Sequence, residues 1–272
     1  VHKILTGRKH DMEHIRSMDG ISGFLRPEES KYDAVVSGHA STSISSGIGL
    51  LRGDMLMGRK NKVVCIIGDG AMTGGLAFEG LNNVSMSKNN LLIILNDNNM
   101  AIDPIKGGFT QYLVDLTTSA RYNKWRWWAY NVARKLHLIN DSSKGRMQRF
   151  SNNIKALLTK QGNNIFQGLN LRYFGPVDGH DVLSLVRIFK EIKDYSGPKV
   201  LHIITKKGKG YEPAENDQTT WHAPGEFCVE TGIRNENANT QVPLWQEVFG
   251  KKLLELAQAD ERVVGITPAM PS

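Results

Sequence analysis

The chain has 272 residues, 40% of them hydrophobic and 22% charged, which suffices for one large α/β domain or two modest ones and excludes a disordered tail, a collagen-like chain and a coiled coil. No run approaches about 18 apolar residues, Val1–Leu5 lacks the pattern of a secretory signal, and two cysteines, Cys65 and Cys228, cannot build a disulfide framework or a zinc cluster, so a cytoplasmic protein with no membrane partner is expected. The net charge of +7 is local: residues 121–160 hold ten Lys and Arg against one acid, Asp141.

Strands and helices alternate along the chain. Val63–Ile67 is a short, fully apolar, β-rich run, as expected of a strand buried on both faces, and Cys65 within it reads as a small buried hydrophobe. A helix is expected from about Gly74 to Met86, with Leu76, Phe78, Leu81 and Val84 apolar, followed by a second strand over Leu91–Leu95. The basic segment comes next. With Trp125, Trp127 and Trp128 among its cations it reads as an insertion with a solvated face; a lid or a rim for phosphorylated substrates is the sharper reading, and no nucleic-acid partner is expected. A helix over about Asp181–Tyr195 carries Val182, Leu185, Val186, Phe189 and Ile192 at helical spacing, and His180 is expected to cap or brace it. A third strand covers Val200–Thr205. Residues 231–242 are polar and aperiodic and read as a linker; Trp245, Val248, Phe249, Leu253, Leu254 and Leu256 then outline a helix, and Val263–Thr267 starts another strand. The alternation predicts a doubly wound, mainly parallel α/β sheet with helices on both faces and right-handed crossovers. Ligands of such sheets sit at the carboxyl ends of the strands, which directs attention to Gly68-Asp69-Gly70, Asn96-Asp97-Asn98 and Lys206–Tyr211.

Asp69 and Asn98 each follow an apolar strand, with one βα unit between them, so both reach the same sheet edge. A carboxylate and an amide oxygen are hard ligands suited to Mg²⁺ or Ca²⁺. Gly70 and Ala71 open the following helix, whose free N–H groups favour an anion. Cation, helix start and small residues together suggest a diphosphate site. The plainer alternative is that Asp69 caps the helix and Asn98 closes a turn. Lys206, Lys207 and Lys209, set among glycines, suit either phosphate contact or a solvated loop.

The pair of motifs resembles the thiamine-diphosphate signature, in which Gly-Asp-Gly is followed some thirty residues on by an Asn-containing end. Further blocks sharpen the likeness: HKILTGR at 2–8, GHASTSIS at 38–45, ILNDN at 94–98, YFGPVDGH at 173–180, TKKGKGYEPAE at 205–215 and ITPAMP at 266–271 resemble the 1-deoxy-D-xylulose-5-phosphate synthase family. The resemblance implies a thiamine-diphosphate-binding fold and a transferase that joins pyruvate to glyceraldehyde 3-phosphate with loss of CO₂, at the entry to isoprenoid and thiamine biosynthesis. It implies Mg²⁺ held by Asp69, Asn98 and the Met100 carbonyl. Diphosphate contacts would come from Gly70 and Ala71, further cofactor contacts from His2, Gly38, His39, Ala40 and Tyr211, and active-site histidines would be His39 and His222. Ala40 stands where the family usually has Ser, so only a backbone contact is expected there. The family also implies a homodimer. It divides the chain into a diphosphate-binding domain over 1–230, the linker 231–242, and the start of a pyrimidine-binding domain over 243–272. The glutamate that activates the cofactor would then lie beyond Ser272, and the chain alone is expected to be inactive. A different enzyme of the superfamily, of the transketolase type, and a cofactor-binding but inactive relative stay open as alternatives.

Overall fold

The computed structural model describes residues 1–86, 89–101, 107–109, 111–113, 165–234, 243 and 245–266. The chain falls into two compact units, one formed by residues 1–98 and 106–205, the other by 99–105 and 206–272. The basic segment 121–160, its tryptophans and most of the expected linker lie outside the described residues.

The first unit is built on four parallel strands, β1 (Val64–Gly68), β2 (Leu92–Asp97), β3 (Arg172–Asp178) and β4 (Lys199–Ile204), in the order β1-β2-β4-β3. Its described helices include α1 (His2–Leu5), α2 (Ser43–Leu56), α3 (Asp69–Met72), α4 (Gly75–Ser85), α5 (Ile165–Gly168) and α6 (Val182–Ile192). Side chains alternate across the sheet. Cys65, Ile67, Ile93, Leu95 and Val200 meet Ile44 and Leu51 of α2, Ala77, Leu81 and Val84 of α4, and Phe166 of α5. On the opposite face Leu92, Ile94 and Leu201 pack with Ile188, Phe189 and Ile192 of α6. This two-sided burial explains the unbroken apolar runs of β2 and β4, and it is the doubly wound arrangement expected. β1 departs from the expectation of burial on both faces, since as an edge strand it buries Cys65 and Ile67 and exposes Val64 and Ile66. The β1-to-β2 and β3-to-β4 connections run in opposite directions across the sheet on opposite faces, so they share one hand.

Besides several short turns of helix, two longer elements stand where the sequence reading placed none. α2 carries three Ser and three Gly in 14 residues, poor helix formers, yet its small residues let it lie close against β1. β3 contains Gly175-Pro176, which reads as a chain breaker; it survives because β3 is an edge strand, with a register irregularity between Phe174 and Val177. The cap of α6 also differs: Asp181, not His180, accepts the Ser184 N–H at 3.0 Å, while the His180 N–H donates to Asp178.

The second unit contains α7 (Glu212–Asn216), a 3₁₀ turn at Thr220–His222 and α8 (Trp245–Ala259), the last matching the expected helix. The strand expected from Val263 is corrected. Residues 263–266 are irregular, since no described strand pairs with them, and Ile266 is 97% exposed.

Candidate functional site

The parallel register sets Gly68 beside Asn96, so the chain leaves β1 and β2 at the same level. Asp69 follows immediately and is buried. One carboxylate oxygen, Oδ1, accepts the Gly70 N–H at 2.9 Å, and Oδ2 accepts the Asn98 N–H at 3.1 Å. The two sequence motifs are therefore joined directly, through a backbone donor. Asp69 is not the helix cap; Gly68 holds that position. The donors fit a small hard cation. A carboxylate is acceptor-only, with about four lone-pair sites on two oxygens, the donor type that a hard cation takes. One carboxylate with amide and carbonyl oxygens is a set that Mg²⁺ accepts, completing its shell from phosphate and water.

The anion side differs from expectation. Gly70 and Ala71 do not open the long helix; α3 is a single turn, and the extended Gly74 separates it from α4. The Gly70 N–H is already shared with Asp69. What the short turn does provide is a docking point for the 37–42 loop. The Ser41 hydroxyl donates to the Ala71 carbonyl at 2.6 Å, with Ser41 in the left-handed region at φ 69°. Gly74 permits this approach, since a Cβ there would stand 2.3 Å from Ser41 Oγ. Gly38, His39 and Ala40 are thereby tied to the Asp69 turn, with the His39 carbonyl accepting the Thr42 hydroxyl at 3.0 Å and the imidazole exposed. Ser41 is the hydroxyl that the sequence reading missed beside Ala40.

His2 is engaged elsewhere, on Asp33 at 3.0 Å. Asp33 also accepts two bonds from the Arg8 guanidinium, at 2.7 and 2.8 Å, and the Arg26 N–H; its side chain is fully buried. The Arg8 pairing first, then the Arg26 N–H and His2, holds the Asp33 carboxyl well below the usual carboxylate range despite burial. Lys3 pairs with Glu29 beside this cluster. Burial alone pushes the Cys65 thiol up to about 11, in keeping with an inert core residue.

Beneath the Asp69–Asn98 junction lies a second group the sequence reading left aside. His202 of β4 is fully buried, with Nε2 2.8 Å from Asp97 Oδ2 and Nδ1 2.7 Å from the Tyr173 hydroxyl. A lone His in an apolar strand gives no signal in sequence; its partners lie 105 and 29 residues away. A cavity of about 560 Å³ opens at the amino ends of β2 and β4, lined by Ser85, Asn89, Asn90 and Pro198 among others, away from these groups and without titratable side chains.

Met100, Tyr211 and His222 belong to the second unit. His222 is exposed, with Nδ1 2.9 Å from the Lys207 ammonium, which also donates to the Ala101 carbonyl at 2.9 Å. Partial burial, and after it the Lys207 charge, hold the His222 pKa below its ordinary value. Tyr211 packs on Trp221 and Phe227, at centroid separations of 5.0 and 5.9 Å, and its hydroxyl donates to the Val229 carbonyl. Lys206 pairs with Glu215.

Residues 1–205 match the family model for 1-deoxy-D-xylulose-5-phosphate synthase. Over 273 residues the chain is 57% identical to the 1-deoxy-D-xylulose-5-phosphate synthase of Parabacteroides distasonis, covering 100% of this chain and 43% of that protein. The enzyme of the same description from Porphyromonas gingivalis is 54% identical over 272 residues, with the same coverages. The chain thus spans 43% of the length of these relatives. A crystal structure of transketolase from Campylobacter jejuni superposes with a TM-score of 0.51 at 15% identity, over 79% of this chain and 28% of that one, which speaks for the fold.

Proposed function

From a chain that belongs to the 1-deoxy-D-xylulose-5-phosphate synthase family, we propose the diphosphate-binding part of a thiamine-diphosphate enzyme that joins pyruvate to glyceraldehyde 3-phosphate with release of CO₂. Residues 1–230 act as the diphosphate-binding domain and 243–272 belong to the next one. When bound, thiamine diphosphate supplies the carbon nucleophile and the electron sink for the decarboxylative joining. The chain's own residues hold and orient. Asp69, Asn98 and the Met100 carbonyl hold Mg²⁺, and through it the diphosphate. Gly70 and Ala71 leave room for the phosphate oxygens, and Gly38, His39, Ala40, His2 and Tyr211 contact the rest of the cofactor. His222 handles a proton. Lys207 as an ammonium can only donate, so Nδ1 of His222 accepts and Nε2 carries the hydrogen. A neutral imidazole in that tautomer donates from Nε2 to a substrate oxygen and can take the proton back.

The observation that carries this reading is the bond from the Asn98 N–H to Asp69 Oδ2, which joins the two halves of the motif at one sheet edge. Calorimetric titration with thiamine diphosphate, in Mg²⁺ and then in EDTA, tests it. Binding is expected to require Mg²⁺ and to be lost in Asp69→Ala. Binding that persists in EDTA, or in Asp69→Ala, overturns the assignment of the ligands.

A further inference from the structure

The Asp97–Asn98 peptide is gripped from three sides. Its carbonyl, on Asp97, accepts the Thr205 N–H at 2.8 Å, and its N–H, on Asn98, donates to Asp69 Oδ2 at 3.1 Å. The Asp97 side chain turns inward to His202 at 2.8 Å, and His202 is held in turn by Tyr173 at 2.7 Å. Tyr173 is fixed by a parallel stack on Phe166, with ring centroids 5.6 Å apart and planes 8° from parallel. An ionised Asp97 only accepts, so Nε2 of His202 carries the shared proton; on a neutral ring Nδ1 then accepts from the Tyr173 hydroxyl. Each group orients the next, and the chain of bonds runs from the edge strand β3 through β4 to the end of β2.

We propose that Asp97, His202 and Tyr173 form a positioning relay that fixes the Asp97–Asn98 peptide, and so sets the placement of Asn98 as a cation ligand. The proposal rests on the reading of Asp69 and Asn98 given above. The relay acts through the peptide rather than as ligands, as outer partners of ligands do elsewhere. His202 is fully buried, and an apolar residue in its place would leave the Asp97 carboxylate without this donor.

Four variants test it: His202→Leu, which removes both bonds; His202→Gln, which keeps a donor for Asp97; Tyr173→Phe, which removes the outer bond; and Ile192→Ala, a control that destabilises the other face of the sheet. Hydrogen exchange of the Asn98 amide in metal-free protein is read first, then Mg²⁺ affinity in the presence of thiamine diphosphate, with thermal midpoints for all. Positioning predicts faster Asn98 exchange in His202→Leu and Tyr173→Phe, recovery in His202→Gln, and wild-type exchange in Ile192→Ala at a matched loss of midpoint. It also predicts Mg²⁺ affinity weakened about tenfold in His202→Leu. Unchanged Asn98 exchange in His202→Leu, or equal acceleration in Ile192→Ala, overturns the relay, as does an unchanged Mg²⁺ affinity. If the wild-type chain binds no Mg²⁺, the ligand assignment fails, and Asn98 exchange alone then decides the relay. Should His202→Leu not fold, Tyr173→Phe and His202→Gln carry the same comparison.

Discussion

His222 faces an ammonium that cannot accept a hydrogen bond, and that contact sets its tautomer and adds to the direction in which burial moves its pKa. Burial first, and Lys207 second, disfavour the protonated ring. A proton titration of His222 by NMR is therefore expected to have its midpoint below about 6.5. Lys207→Met removes only the second cause, so the midpoint rises part of the way back. A midpoint at or above the ordinary value, or one indifferent to Lys207→Met, contradicts the pairing. Asp33 gives the opposite case. Its carboxyl is depressed by Arg8, the Arg26 N–H and His2, so its stabilising effect is complete above the unfolded-state value and fades as pH falls through the folded one. Asp33→Asn is expected to lower the thermal midpoint by several degrees at neutral pH, because buried Arg8 loses its doubly bonded ionic partner and keeps the longer contact with Glu29 at 3.6 Å. The gap between the two proteins narrows below about pH 4, where Asp33 of the unfolded chain begins to protonate while the folded carboxylate stays ionised. A gap that stays constant down to pH 3 would show that the ion pair is not the cause.

At the scale of elements, α2 is the sharpest case of packing overruling propensity. A Cβ on Gly47 would stand 2.1 Å from Cys65 Sγ, with the next atoms at an ordinary 3.5 Å. Gly47→Ala gains about 1 kcal/mol of helix propensity but overpacks the α2–β1 contact, at about 1–3 kcal/mol. The collision is severe and with a buried side chain, so a net loss is expected in urea unfolding. In a Cys65→Ala background the obstacle is gone and the same substitution becomes neutral or stabilising. An equal loss in both backgrounds would place the strain elsewhere. The same contrast shows what the sequence made legible. β2 and β4 announce themselves because residues buried on two faces must be apolar throughout, and α4 and α6 because a buried helical stripe must be apolar in the matching period. β1 is as legible, although only Cys65 and Ile67 of its run are buried. α2 and β3 do not, because Ser, Gly and Pro are tolerated there only through contacts with distant residues. The site divides likewise. Asp69 and Asn98 are readable from strand ends one βα unit apart. Ser41 and His202 are not, since their roles depend on partners 30 and 105 residues away.

Over the whole molecule, stability should follow burial along the sheet order. β2 and β4 occupy the centre and are buried along nearly their whole length, whereas β1 and β3 form the edges and are exposed at one end or on one face. α8 stands at the other extreme: none of its residues is buried, and Trp245, Phe249 and Leu254 are 89%, 68% and 59% exposed. A helix of 15 residues with no buried side chain is marginal in water, because little tertiary packing helps its hydrogen bonds to offset nucleation. Amide exchange is therefore expected to be slowest in β2 and β4, where opening requires global unfolding, intermediate in β1 and β3, and fastest in α8, where fraying suffices. The ranking is independent of cofactor and can be read on the free chain by mass spectrometry. Protection of α8 equal to that of β2 would mean that its apolar stripe is covered in solution. Repeating the measurement over a range of protein concentrations separates the sources of such cover: protection that grows with concentration comes from a second copy, and protection that does not comes from the chain itself.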